Sequence, residues 1–303
     1  MHSISQESAA LRSIEASLTR ANNDIPALKA LFAAFGPLLA ERARLRAEAP
    51  GWRGPKLAID AERFSQGAFV LAQTEFGGGF EDMSEHLPAA AQKLLPIMAQ
   101  SFPAIAAEVN ALGAALASGA LAPQALVAAG FGEPLEVPGV SQQTLLFAAA
   151  ELVRPFLERQ AQDLAALVQE LPWHHANCPV CGGAPNMSML RRVQEDGEFI
   201  QAHGGRRFLR CSCCATEWTH KRVSCPGCGC EEPDELLVLR APDRAQERAD
   251  VCLRCKTFIL CLDTGEMVDI PDPDVAALAM LPLEMRARKE GYVPLAEHPW
   301  SHF

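Results

Sequence analysis

The cysteines of this chain are confined to its second half. All eleven lie between Cys178 and Cys261. Eight of them form four pairs in which two residues separate the thiols: Cys178 and Cys181, Cys211 and Cys214, Cys225 and Cys228, and Cys252 and Cys255. A two-residue gap lets both sulfurs of a turn face the same way, so two such turns can surround one tetrahedral metal ion. The sequence therefore predicts two metal sites with these eight cysteines as ligands.

Two of the four pairs carry further signs of a metal-binding turn. The segments that begin at Cys178 and Cys225 read CPVCG and CPGCG. Proline after the first thiol restricts the turn, and glycine after the second accepts the positive φ that lets backbone amides point at the sulfurs. Redox dithiols or small buried hydrophobes are the alternative interpretation of individual pairs.

The order of the pairs favours one site from the first and second pairs and another from the third and fourth. This sequential pairing needs the least chain crossing. A nested arrangement, in which the two central pairs share one ion, is also compatible with the spacing. The three other thiols are interpreted as non-ligands, because Cys213 and Cys230 stand beside ligands and Cys261 follows an apolar strand.

The spacing does not choose between iron and zinc, since both metals accept tetrahedral thiolates and the affinity order places zinc ahead of ferrous iron. Iron could alternate between two oxidation states, whereas zinc would be structural. Four histidines lie near the pairs, namely His174, His175, His203 and His220. They are interpreted as surface or interdomain residues, because the eight cysteines already fill two coordination shells.

Composition places the chain among ordinary water-soluble proteins of two or three domains. Its N-terminus lacks a cationic segment followed by an apolar one, so no secretion signal is predicted. The longest uncharged stretch, Val109 to Gly132, contains polar residues and a proline and is a poor membrane span. We therefore expect a cytoplasmic protein without membrane insertion, whose thiols bind metal instead of forming disulfides.

Charge and motifs limit the classes of function. The net charge is -10, and the segment from Leu171 to Cys261 has 12 Lys or Arg against 11 Asp or Glu, so we expect no nucleic-acid partner. None of the common nucleotide-binding, hydrolase or metalloprotease motifs occurs. A complete four-sulfur shell also leaves no open coordination position for catalysis, and we expect that the protein is not an enzyme.

The first half of the chain is predicted to be helical. Apolar residues such as Leu11, Ile14 and Leu18 recur at three- and four-residue spacing, and this spacing continues to about Glu170. Pro155 is expected to kink the last of these helices. The pattern predicts an all-α domain of five to eight helices over residues 1–170.

The second half is predicted to be rich in short antiparallel strands. Three apolar runs lie between the cysteine pairs, at Arg207–Arg210, Glu235–Leu239 and Thr257–Leu260. Helical spacing returns from Asp274 to Glu290. The predicted fold class is thus α+β, with a helical N-terminal domain followed by two small rubredoxin- or zinc-ribbon-like modules. We place these modules at residues 171–222 and 223–303, the second including a C-terminal helix.

Two stretches of the sequence resemble the FdhE family of formate dehydrogenase accessory proteins. The first begins at Cys178 and reads CPVCGGAP. The second runs from Gly205 to Cys225 and reads GRRFLRCSCCATEWTHKRVSC, with Glu217 and Trp218 between the second and third cysteine pairs. Four pairs in order and a helical first half extend the resemblance over nearly the whole chain.

This resemblance implies a cytoplasmic, non-catalytic maturation factor that binds the immature catalytic subunit of formate dehydrogenase and supports its activity. It also implies two iron ions in rubredoxin-like sites, one per four-cysteine site, with zinc as the alternative metal. The implied ligands are Cys178, Cys181, Cys211 and Cys214 in one site and Cys225, Cys228, Cys252 and Cys255 in the other. The extra thiol at Cys213 and a loosely matching C-terminal helix depart from the family pattern.

Two other functions are compatible with the residues. A rubredoxin-like iron protein would pass electrons to or from its partner, and it would lose function when zinc replaces iron. A zinc-ribbon protein that binds nucleic acid is less favoured because of the charge balance. The oligomeric state and the face that meets the partner are not set by the sequence.

Overall fold

The computed structural model describes residues 2–54, 57–73, 80, 82–192 and 205–302, and the chain folds as two compact units. The first unit comprises Met1–Pro55, Phe80–Asp163 and Pro299–Phe303. The second comprises Lys56–Gly79 and Leu164–His298. A short segment of the first half therefore belongs to the unit that carries the cysteines. The boundaries predicted at residues 170 and 222 stay predictions.

The first half of the chain is helical, as predicted. Its α-helices are α1 (His2–Asp24), α2 (Lys29–Glu48), α3 (Ala61–Ser65), α4 (Leu87–Ser101), α5 (Ala106–Ala117), α6 (Pro123–Gly130) and α7 (Gln142–Ala165). Pro155 lies inside α7. Within the described part of the chain, no helix combines the length and the hydropathy needed to cross a membrane.

Aromatic rings form the centre of the first unit. The Phe35 ring meets those of Phe102, Phe147 and Trp300 edge-on, at centroid distances of 4.8, 6.4 and 5.7 Å. Edge-to-face pairs at these distances stabilise a core beyond the area they bury. The helical spacing read from the sequence thus reflects one packed apolar core.

Helices α2 and α7 are also joined by a buried ion network. Glu158 accepts from Arg46 at 2.9 Å and from Arg154 at 2.8 Å, and it lies 3.5 Å from Arg42. Arg42 also pairs with Glu151 at 3.2 Å. Glu151, Glu158, Arg42 and Arg154 are buried. Each buried charge in this network is therefore compensated by at least one opposite charge.

The second unit contains one mixed sheet. Its strands are β1 (Pro185–Arg191), β2 (Arg206–Cys211), β3 (Glu217–His220), β4 (Leu236–Ala241), β5 (Arg244–Cys252), β6 (Thr257–Asp263) and β7 (Val293–Pro294). The order is β3-β2-β1-β6-β5-β4, and β7 pairs with β6. The three strands predicted from apolar runs correspond to β2, β4 and β6.

The sheet is built from the same unit twice. In each half a cysteine pair precedes an antiparallel hairpin of two strands. A second cysteine pair follows the hairpin, and the third strand then pairs antiparallel with the second strand of the hairpin. The halves are β1–β3 and β4–β6. They join through β1 and β6, which run parallel from Met187 opposite Leu260 to Leu190 opposite Asp263. The prediction of antiparallel strands is therefore wrong for this pair, which joins strands of different repeats, and it does not cover the short β7, which also runs parallel to β6.

The predicted C-terminal helix is confirmed but is divided into α8 (Pro273–Ala279) and α9 (Leu281–Lys289). Asp272 caps α8 by accepting from the amides of Asp274 and Val275. Pro282 explains the division. A proline has no backbone N–H to donate to Leu278, and its ring clashes with the carbonyl four residues earlier.

Candidate metal centres

The eight paired cysteines form two clusters of four sulfurs. Cys178, Cys181, Cys211 and Cys214 make the first cluster, and Cys225, Cys228, Cys252 and Cys255 make the second. Within each cluster the sulfurs all lie within 4.8 Å of one another. The shorter separations are 3.5–3.7 Å. Four sulfurs at a Zn–S distance of 2.3 Å would be about 3.8 Å apart, so either cluster could hold a tetrahedral metal ion.

The sheet decides which pairs meet. The first pair precedes β1 and the second follows the antiparallel partner β2, so the register Pro185 opposite Cys211 brings the two turns together. In the second repeat, Leu236 lies opposite Cys252, and this register brings the turns of the third and fourth pairs together. The clusters therefore follow the sequential pairing, and the nested arrangement does not occur.

All four cysteine turns share one backbone conformation. In each, the residue after the second cysteine donates its amide to the carbonyl of the first, at 2.8–3.2 Å. That residue has a positive φ in every case: Gly182 (75°), Ala215 (56°), Gly229 (70°) and Lys256 (60°). The two glycines are those that the sequence indicated. Ala215 and Lys256 adopt a conformation that side chains disfavour, which shows how strongly the turn determines the backbone.

Backbone amides point at the sulfurs, as the CPVCG and CPGCG segments predict. Val180 donates to the Cys178 sulfur at 3.4 Å, and Gly227 donates to the Cys225 sulfur at 3.3 Å. The amide of Cys213 donates to Cys211 at 3.4 Å. Such donors favour a negatively charged sulfur, which is the form that binds metal.

Two threonines complete the clusters and were not identified from the sequence. The hydroxyl of Thr216 lies 3.2 Å from the Cys214 sulfur, and that of Thr257 lies 3.0 Å from the Cys255 sulfur. Each follows its cysteine by two residues, so the second and fourth pairs share the pattern CxxCxT. This shared pattern is the signal that could have revealed them.

One thiol in each cluster is acidified by its surroundings. Hydrogen bonds from the neighbouring thiols, led by Cys178, lower the pKa of Cys211 well below its usual value. Burial raises the pKa of Cys255, but hydrogen bonds led by the Thr257 hydroxyl outweigh it and lower that pKa to about 7. A thiolate surrounded by thiols is readily converted to a metal site, because a soft cation displaces the remaining protons.

The two clusters differ in exposure. In the first, Cys178 and Cys211 are fully buried and Cys214 is 2% exposed. In the second, Cys228 is exposed and Cys255 is only half-buried. An ion in the second cluster would therefore lie closer to solvent than one in the first.

A segment from the first half of the chain braces the first turn. Val70 and Leu71 donate their amides to the carbonyls of Pro179 and Val180, at 2.8 and 3.0 Å. The ring of Phe69 lies against Gly182, where an added Cβ would come within 2.6 Å of it. This segment lies far from the cysteines in the sequence, and only the structure reveals its contact with the first cysteine turn.

Gly182→Ala is expected to destabilise the second unit by about 2–5 kcal/mol, because a left-handed alanine is strained and its methyl group meets Phe69. Gly229→Ala is the matched control. Its φ is similar, but nothing lies within 4 Å of the added methyl, so about 1–2 kcal/mol is expected from the backbone alone. Denaturant unfolding of both variants measures the difference, and equal losses would contradict the role of Phe69.

The other cysteines and the histidines lie outside both clusters among the residues described. Cys261 is buried in β6, Cys230 is buried beside Cys225, and Cys213 is half-buried next to the first cluster. His175 lies 3.0 Å from the carbonyl of Ser65 and accepts, through its own carbonyl, from the indole of Trp218. His203 falls outside the described residues.

The basic residues near the second cysteine pair are largely paired with acids. The ion pairs are Arg191 with Glu217, Arg192 with Glu266, Arg207 with Asp250, Arg210 with Asp274 and Lys221 with Glu231. Their positive charge is thus compensated within the protein. This arrangement weakens the argument for a nucleic-acid surface, which needs free cationic groups.

Comparison with known proteins gives matches to the FdhE family. The family model for the FdhE central domain matches residues 177–222. An FdhE homolog from Aquifex aeolicus is 29% identical over 51% of this chain and 51% of its own length. FdhE from Escherichia coli O127:H6 is 34% identical over 41% of this chain and 37% of its own length. The matched part of the chain thus spans about half or less of the length of these curated relatives.

The fold can be compared over a longer stretch. The crystal structure of the FdhE protein from Pseudomonas aeruginosa matches with a TM-score of 0.56 and 21% identity, over 95% of this chain and 94% of that one. This likeness concerns the fold. The sequence matches confirm the predicted resemblance to the FdhE family, and the family model places its similarity to the FdhE central domain at residues 177–222.

Proposed function

We propose that this protein is a cytoplasmic accessory factor for formate dehydrogenase, which binds the immature catalytic subunit and does no chemistry of its own. The observation that carries this proposal is the pair of four-sulfur clusters, the first of them inside the FdhE central domain. The complete sulfur shells support a non-catalytic role, because catalytic metal sites keep a position open for water or substrate.

We further propose that each cluster binds one iron ion, with zinc as the alternative, through all four of its sulfurs. The ligands are Cys178, Cys181, Cys211 and Cys214 in the first site and Cys225, Cys228, Cys252 and Cys255 in the second. The sulfur separations and the amides directed at the sulfurs support this assignment. The donor set fits both metals, since each accepts tetrahedral thiolates.

In this role the metal acts mainly on the fold. A structural zinc site in a small peptide contributes about 10–16 kcal/mol of binding free energy, which becomes folding free energy when the site forms only in the folded chain. The ions would fix the two hairpins of the sheet and so keep a surface ready for the partner.

A redox role is the second candidate, and the exposure of the second cluster favours it. Cys228 lies at the surface, so an iron ion held there would be accessible to a redox partner. Iron alternates between two oxidation states in such a site, whereas zinc does not. Replacing iron by zinc separates the candidates: an accessory role survives the exchange, and an electron-transfer role does not.

The test of the accessory role combines metal analysis with partner binding. The protein is purified anaerobically, its iron and zinc are measured, and binding to the purified, cofactor-free formate dehydrogenase catalytic subunit is determined. We expect two metal ions per chain and a stable complex. Well-folded protein that contains no metal, or that does not bind the subunit, would refute the proposal.

The exposure difference predicts that a chelator removes the two ions at different rates. We expect the second site to release its ion at least about tenfold faster, which corresponds to a 1.4 kcal/mol difference in the free energy of local opening. Release is followed with a colorimetric chelator. Cys228→Ser should abolish the fast phase alone, and a fast phase that persists in this variant would contradict the assignment.

A further inference from the structure

The second unit has an open apolar groove beside the second sulfur cluster. Its volume is about 290 Å³. Leu236 and Val238 of β4 and Ile259 of β6 line it, and Ser224 and Pro226 line it from the segment that leads into the third cysteine pair. Cys225 and Cys252 also line the groove, so its occupant would lie against the second cluster.

Large apolar side chains around this groove face solvent. Val223 is 54% exposed, Leu237 is 43% exposed and Val238 is 45% exposed. Strand β4 also lies at the edge of the sheet. Proteins usually protect an edge strand with charge, or cover it, because its unpaired backbone groups can bind another extended chain. Strand β3 at the opposite edge instead exposes Glu217 and Thr219.

Three arginines, Arg207, Arg222 and Arg248, line the groove together with one aspartate, Asp250. Arg207 and Arg248 share the single carboxylate of Asp250, at 3.0 and 2.9 Å. Arg207 also donates to the carbonyl of Ser224 at 2.9 Å, which fixes the wall of the groove. Exposed Arg222 lies at the rim and has no acidic partner among the described residues. Arg222 is thus a cation at the groove whose charge no described carboxylate compensates.

These features select one kind of occupant. An extended segment can add to the free edge of β4 through its backbone and place alternate side chains in the apolar groove. Charge complementarity favours a segment that also carries a carboxylate, which Arg222 can pair with. A folded surface without an exposed strand of its own could not pair with the backbone of β4.

We propose that this groove docks an extended, mostly apolar segment of the immature catalytic subunit, with an acidic side chain of that segment at Arg222. The inference rests on the proposed function and adds where and how the subunit binds. It also gives a role to the exposed apolar side chains of β4, because an accessory protein needs that surface only while its partner is incomplete.

The test uses full-length, metal-loaded protein and the purified, cofactor-free catalytic subunit. Val238→Asp places a charge in the groove, and Arg222→Glu reverses the charge at its rim. Val238→Asp should weaken binding of the subunit at least about tenfold, as expected for a central contact of an interface. Arg222→Glu should weaken it by a similar factor, because it turns an attraction between opposite charges into a repulsion between like charges. Val268→Asp and Lys289→Glu make the same changes at exposed positions outside the groove and should bind like the unchanged protein.

The outcomes separate this inference from the proposed function. If the unchanged protein binds the subunit and both groove variants bind equally well, the groove is not the docking site, although the accessory role stands. If the unchanged protein does not bind the subunit, both proposals fall. A dimer that forms through Val238 and excludes the subunit would assign the groove to a second copy and overturn the inference. Should Val238→Asp lose metal or fold, Arg222→Glu decides, since its side chain is exposed.

Discussion

Under the proposed function, Cys178→Ser is expected to remove one of the two proposed metal ions and to abolish binding of the formate dehydrogenase catalytic subunit. Cys178 is fully buried, and its sulfur lies 3.7 Å from the sulfur of Cys214 in the first cluster. Serine is a poor ligand for a soft metal, and the site would lose much of the roughly 10–16 kcal/mol that a structural zinc site can contribute. A loss of that size exceeds the net stability of most domains, so the first hairpin should unfold.

Metal analysis, circular dichroism and subunit binding measure this effect. Cys213→Ser is the matched control, because it makes the same chemical change at a neighbouring thiol outside the cluster. We expect the control to keep both ions and bind the subunit. A Cys178→Ser protein that lacks the first ion yet binds the subunit and supports formate dehydrogenase activity would show that the metal is dispensable.

Glu158→Gln is expected to destabilise the first unit by about 3–5 kcal/mol, the usual effect of removing one partner of a buried ion pair. The substitution keeps the size of the side chain but removes its charge. Arg154 is buried with Glu158 as its close ion-pair partner, and Arg46 would lose the same carboxylate. The cost is therefore mainly electrostatic, since both arginines lose the charge of this carboxylate.

Thermal or denaturant unfolding of the full chain tests this prediction. Glu48→Gln makes the same change in an exposed pair, in which Glu48 and Lys93 lie 2.8 Å apart with side chains 56% and 43% exposed. Exposed pairs contribute about 0–1 kcal/mol, so this control should unfold almost like the unchanged protein. Equal effects of the two substitutions would mean that the buried network adds no stability of its own.

The local geometry of the cysteine turns could be predicted from the sequence, because it depends on residues that are close along the chain. CPVCG and CPGCG indicated the positive φ of Gly182 and Gly229 and the amides that point at sulfur. The same conformation at Ala215 and Lys256 was not predicted, since neither residue favours it. There the surrounding strands and the cluster overcome the preference of the side chain.

The division of the C-terminal helix shows a different limit. Apolar spacing continues from Asp274 to Glu290 as in one helix, but Pro282 interrupts the hydrogen bonds between α8 and α9. Pro282 is present in the sequence and could have predicted the break, but the apolar periodicity favoured one continuous helix. The parallel pairing of β1 with β6 had no such signal, because it joins two separate repeats.

The sequence by itself determined the eight thiols, their four turns, the helical first half and the family resemblance. The tertiary structure decided which turns share a cluster, how the repeats join into one sheet and why the second cluster is more exposed than the first. It also placed Phe69 against Gly182 and β4 at the edge of the sheet. The reason is physical: turn conformation follows from neighbouring residues, whereas the meeting of distant turns depends on strand register and packing across the whole unit.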